Sequence, residues 1–195
     1  MFARSNFAIA AVVLGAVVLL TDAAFAPAGA VSLCEMTFGL MGCSDVKPEG
    51  QPSFYKSMAT VDAKVDAKAA ASMISGYRRN NGLGIVALDD QLMRAAEEQA
   101  RAMASKNRFE HDAAGPFAQR VKRSGYDAKV AVENIGAGYH TLAEAFSGWR
   151  DSPPHRANML LSGVTKMGIA AVYSPNSKYK VFWALILAAP DHRRG

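Results

Sequence analysis

Val181-Phe-Trp-Ala-Leu-Ile-Leu-Ala-Ala189 is the stretch that decides the fold. It has no polar side chain, yet it is far short of the roughly 20 apolar residues that a membrane-spanning helix needs. A short unbroken apolar run of this kind predicts a strand buried on both faces. Upstream, Met167 to Tyr173 alternates, and Ser174-Pro-Asn-Ser-Lys178 reads as a turn, so the chain closes on an antiparallel hairpin. A strand with no solvent face needs helices above and below it, which predicts a three-layer α/β/α sandwich.

The helices that could supply those layers lie upstream. Ala70, Met73, Ile74 and Tyr77 share one helical face, and Asn80-Asn81-Gly82 ends that helix. Leu92, Ala95, Ala96, Gln99, Ala100 and Met103 form the clearest stripe, opposite Arg94, Glu97, Glu98 and Arg101. Asp89 or Asp90 can cap it. Pro116 to Ser124 reads as a short helix ended by Gly125. Thr141-Leu-Ala-Glu144 is a capping box opening a helix that faces inward with Leu142, Ala145, Phe146 and Trp149, stopped by Pro153-Pro154.

The rest of the chain of 195 residues fits one such domain plus a leader. With 50% hydrophobic and 20% charged residues, wholesale disorder is excluded. The net charge of +5 is mild and its basic residues are scattered, with no aromatic-interleaved basic stretch, so no nucleic-acid partner is expected. Arg4 followed by the uncharged run Phe7 to Leu20 and by Ala28-Gly29-Ala30 reads as an export signal over 1–30. A second reading extends it to 42: Leu40-Met41-Gly42-Cys43 resembles a lipoprotein-processing site, where Cys43 would be acylated and anchor the protein to a membrane. A Cys34–Cys43 disulfide and two free thiols are the other options. Residues 31–57 are expected to be a flexible tether, 58–190 the domain, and 191–195 a polar tail.

Three residues stand out chemically. His111 and His155 are read at helix-to-loop junctions, and Glu133 is a lone carboxylate in Ala131-Val-Glu-Asn-Ile135. Two imidazoles and a carboxylate can hold a divalent ion such as zinc, or support acid–base chemistry. Spacing alone favours a plain structural role: Glu133 bonding backbone amides, the histidines ordinary loop residues. There is no HExxH, CxxC or G-x-S-x-G motif, and no phosphate loop.

The ordered set of His111, Gly125-Tyr126, Glu133-Asn134-Ile135, Trp149, Ser152-Pro-Pro-His-Arg-Ala-Asn-Met-Leu160, Met167-Gly168-Ile169 and Phe182-Trp183 resembles a bacterial CAP (SCP-like) domain. This is the superfamily of cysteine-rich secretory proteins, antigen 5 and pathogenesis-related proteins. The resemblance covers about residues 70 to 189. It implies an α+β fold, an α/β/α sandwich with a mainly antiparallel sheet, and an exported protein, periplasmic or extracellular. It also implies a cleft lined by His111, His155 and Glu133, with Asn134 beside it, that can bind a divalent metal. Many eukaryotic members carry a second glutamate one turn after the position of Trp149; the nearest acid here is Asp151. The reading that follows is an envelope binding module for a small apolar ligand, a divalent metal or both. The alternatives are a metal-assisted hydrolase in which Glu133 activates water, and a structural envelope protein. The absence of a dedicated nucleophile favours binding over catalysis.

Overall fold

The computed structural model describes residues 50–191. The expectations for the leader, Ala30, Cys34, Cys43 and the last four residues lie outside the described residues.

Helices α1 (Ala67–Asn80), α2 (Asp90–Lys106), α3 (Phe117–Arg123), α4 (Leu142–Asp151) and α5 (Pro153–Met159) flank strands β1 (Ala87–Leu88), β2 (Ala128–Ala137), β3 (Lys166–Tyr173) and β4 (Val181–Pro190). The strand order is β1-β3-β4-β2. β4 pairs antiparallel with both β2 and β3, while β1 pairs parallel with β3, so the sheet is mixed. β1 and β3 are joined through several helices, and a connection that long permits a parallel register without a tight turn.

Alternation along β4 splits the core. Val181, Trp183, Leu185 and Leu187 pack with Ala70 and Ile74 of α1, Ala145 and Trp149 of α4, and Met159 of α5. Phe182, Ala184, Ile186 and Ala188 pack with the apolar stripe of α2 and with Val121 of α3. These are the two helical layers, and β4 is buried along all but its last residue. Trp149 and Trp183 meet edge to face, their ring centroids 6.5 Å apart. Each finds a carbonyl for its indole N–H, Ile135 at 3.0 Å and Tyr139 at 2.8 Å, as buried tryptophans need.

The expected caps are present. The Asp89 side chain accepts from the N–H groups of Gln91 and Leu92, and Thr141 and Glu144 form a complete capping box. One boundary differs from the sequence reading. Pro153-Pro154 ends α4 but also opens α5, because proline fits the first turn of a helix, where its missing N–H is not needed. His155 therefore sits inside a short helix, not in a loop after one. The expected tether also contains order in its described part: Ser53–Tyr55 form one 3-10 turn, and Phe54 packs on the α1/α4 core.

Two contacts set the layer spacing. At Gly168 of β3, α2 crosses so closely that a β-carbon would overlap the Leu92 carbonyl and the Met93 amide nitrogen. On the opposite face, the buried Arg78 of α1 donates to the carbonyls of Gly84, Met159, Leu161 and Val164 at 2.8 to 3.2 Å. Burial holds its pKa below the usual guanidinium value.

Tyr126 lies at the start of the segment leading into β2, and its buried hydroxyl has no partner among the described residues. Burial, with the Asp89 charge adding to it, pushes the phenol up to about 12. An unbonded buried hydroxyl is a cost that phenylalanine lacks. Tyr126→Phe is therefore expected to leave stability unchanged or raise it by up to about 1 kcal/mol in thermal unfolding. A loss of more than that would show that the hydroxyl is bonded.

Candidate functional site

β2 is the far edge strand of the sheet, and the alternation of its side chains builds the site. Ile135 faces the α2/α3 layer, and Glu133, two residues before it, faces the same way. Asn134 faces the α5 layer. The two neighbours in Glu133-Asn134 therefore serve different sides of one strand, and the site wraps around the sheet edge.

On the α3 side, Glu133 is buried, with its side chain 2% exposed. Its Oε2 accepts from one terminal nitrogen of Arg120 at 2.7 Å, and its Oε1 from the other at 3.2 Å. Oε1 also lies 2.9 Å from Nδ1 of His111. Arg120 is fully buried and donates in addition to the His111 carbonyl at 3.1 Å, so one guanidinium holds both the acid and the backbone of the histidine. Phe117, one turn earlier in α3, lies under the guanidinium, 5.3 Å from its central carbon. The His111 side chain remains 57% exposed.

On the α5 side, Asn134 Nδ2 donates to the His155 carbonyl at 2.9 Å. Asn158 Nδ2 donates to the Glu133 carbonyl at 3.1 Å and to Asn134 Oδ1 at 2.9 Å, which satisfies backbone on the outer edge of β2. The His155 ring lies 2.9 Å from Ser152 Oγ. Ser152 opens α5 without making a side-chain cap, and its hydroxyl serves the imidazole.

Burial, with the nearby His111 acting in the same direction, lowers the His155 pKa below the ordinary 6.5. The consequence for stability follows from proton linkage. Below 6.5 the unfolded chain takes up a proton that folded His155 resists, so acid favours unfolding. The His155 contribution is complete above 6.5, shrinks as pH falls below it, and is lost once pH passes the folded value. His155→Gln should flatten that part of a stability–pH curve measured by urea unfolding; an unchanged slope would contradict the assignment.

Asp151 is not in the cleft. It is exposed and forked to Arg150 at 2.8 and 3.2 Å, and that guanidinium holds its carboxyl below the usual range. At the last position of α4, beside an arginine, the short side chain pairs locally more easily than it reaches across to β2.

The donors present do not fit a divalent metal. Among the described residues, no group of three or more His, Cys, Asp and Glu side chains is placed to hold one. Both Glu133 oxygens are committed, and a second cation brought to them would meet the Arg120 charge at short range in a poorly screened interior. Of the expected set of His111, Glu133 and His155, the one carboxylate is engaged by His111 and by the buried Arg120. The sequence reading missed three of the residues that hold this centre: Arg120, Ser152 and Asn158. The signal for Arg120 was available, since a lone acid in an apolar run needs a partner, and Arg120 lies beside Val121 on the inward side of its helix.

A groove lies elsewhere among the described residues. It has a volume of about 620 Å³ and runs between residues 60–65, the outer face of α2 and the edge of β3, lined by Val61, Val65, Met93, Ile169, Val172 and Tyr173 among others; none of His111, Glu133 and His155 lines it.

Comparison with known proteins agrees with the geometry. The Cysteine-rich secretory protein family (CAP) matches residues 71–187. The uncharacterized protein YkwD of Bacillus subtilis is 30% identical over 138 residues, covering 64% of this chain and 53% of that protein. The chain therefore spans about half the length of the curated relative it matches. An extracellular protein from Bacillus anthracis containing an SCP domain superposes with a TM-score of 0.55 at 25% identity, over 63% of this chain and 39% of that one. An outer surface protein from Borrelia burgdorferi gives 0.58 at 19% identity, over 66% and 98%. With the mixed four-stranded sheet between two helical layers and the family match over most of the described domain, the chain belongs to the cysteine-rich secretory protein (CAP) family.

Proposed function

We propose that the protein is an exported CAP-domain binding module whose ligand, a small apolar or amphipathic molecule of the cell envelope, lies in the groove along β3. The observation that carries this reading is the groove itself. Its volume of about 620 Å³ falls within the range of small-molecule sites, about 300–1,000 Å³, and its wall mixes apolar side chains with a few charges. The ligand expected at the histidines is thereby moved to a different part of the domain. Export is supported by the uncharged run from Phe7 to Leu20, and by relatives named as extracellular and outer surface proteins. Among the described residues, no helix is long and apolar enough to cross a membrane. Attachment through Cys43 is tested separately: Cys43→Ser should release the protein from membranes.

The ligand test is displacement of a fluorescent fatty acid from the purified protein. Val172→Arg places a charge in the groove and should weaken binding about tenfold or more, equivalent to roughly 1.4 kcal/mol, while His111→Ala should leave it unchanged. The opposite pattern would overturn the assignment. One observation favours a second reading. Glu133 behind Nδ1 of His111 is the arrangement that orients an imidazole as a general base, so a hydrolase would use His111 on water and Glu133 only to hold the ring. Ester or peptide turnover that disappears in His111→Ala would establish that reading.

A further inference from the structure

We infer that Arg120 stands in the place of a cation at the His/Glu centre, and that removing it would uncover a latent site for a hard divalent ion such as Mn²⁺ or Ca²⁺. The guanidinium is surrounded as such an ion would be. Three oxygens from two residues lie around it: Glu133 Oε2 at 2.7 Å, Glu133 Oε1 at 3.2 Å and the His111 carbonyl at 3.1 Å. A carboxylate offering both oxygens beside a backbone carbonyl is a donor set that suits oxygen-seeking cations, with water completing the shell. It is not the nitrogen set that zinc favours.

The present occupant differs from a metal in ways that make the exchange one-sided. The guanidinium is covalently tethered, so no concentration of free ion has to be maintained for it to stay. It is fully buried over the Phe117 ring, and its Nε is left without a partner among the described residues. One of its donors is therefore sacrificed to bring the other two nitrogens onto the oxygens. It also fixes the His111 backbone, so the orientation of the exposed imidazole is set by an internal charge and does not depend on metal supply.

Arg120→Ala tests this, since it opens space for an ion and its waters. For the wild type, calorimetric titration with Mn²⁺, Ca²⁺ or Zn²⁺ should give no saturable binding. In Arg120→Ala, Mn²⁺ or Ca²⁺ should bind at least about tenfold more tightly than to the wild type and raise the melting temperature, as any ligand selective for the folded state must. The gain should vanish in Arg120→Ala/Glu133→Gln. A folded Arg120→Ala protein with no gain in affinity would refute the inference. So would saturable binding of any of these ions to the wild type that is lost in Glu133→Gln. If Arg120→Ala fails to fold even with Mn²⁺ or Ca²⁺ present, the latent site is refuted as well, because filling it should restore the missing charge. The histidine nitrogen resonances of the wild type provide an independent reading: shifts at His111 on adding Mn²⁺ or Zn²⁺ that are absent in Glu133→Gln would also overturn it.

Discussion

Arg120→Met should lower the unfolding free energy by about 3–5 kcal/mol, the cost of leaving one member of a buried ion pair without its partner. Arg120 is 0% exposed and the Glu133 side chain 2% exposed, so solvent does little to screen the carboxylate left behind. The methionine fills much of the space that the arginine stem occupied, so the loss reports charge more than a cavity. Urea unfolding should show a lower midpoint at an unchanged slope. In Arg120→Met/Glu133→Gln the stranded charge is gone, and much of the loss should be recovered. A single-mutant effect below about 1 kcal/mol, or a double mutant no better than the single, would show that the pair is not formed as described. The His111 ring should also lose its fixed orientation in Arg120→Met, because its carbonyl and its Nδ1 partner are both held by that guanidinium.

Gly168→Ala is the other large effect, and its origin is steric. The new methyl would overlap the carbonyl of Leu92 and the amide nitrogen of Met93, which are backbone atoms of a helix and cannot rotate away as a side chain would. Either α2 lifts from the sheet or β3 bends. Core overpacking ordinarily costs about 1–3 kcal/mol, and this contact should reach or exceed the top of that range. Gly76 in α1 is the control, with nothing within 4 Å of a β-carbon there. Gly76→Ala should raise stability by about 0.5–1 kcal/mol through helix propensity alone. Opposite signs at the two glycines, read by the same thermal melts, would separate space from backbone freedom. A neutral Gly168→Ala would mean that α2 does not cross the sheet as closely as described.

What could be read from the sequence divides along a physical line. The buried strand, the stripe of α2 and the Thr141 capping box were legible because each repeats or depends on neighbours within a few residues. The parallel pairing of the two-residue β1 with β3 was not, because so short a strand leaves no periodicity. The same holds at the site. The histidines and the lone acid stood out as residue types, but which groups would hold them depended on period-two alternation in β2 meeting helices far along the chain. Glu133 and Asn134 look like one unit in the sequence and face opposite layers in the fold. Arg120 appeared as one of several basic residues in Phe117–Arg123, and only burial distinguishes it from Lys122 and Arg123. Pro153-Pro154 was read as a stop because proline ends helices more conspicuously than it begins them.

Arg78 has a further meaning on the exported reading proposed above, since salt and acidity outside a cell are not buffered by a cytoplasm. Its four acceptors are backbone carbonyls, which carry no proton to gain or lose. Mobile ions screen exposed pairs such as Glu97–Arg101, but reach a buried contact far less. The seam between α1 and the chain on either side of Leu161 is therefore fastened by bonds that neither a drop in pH nor a change in ionic strength should loosen.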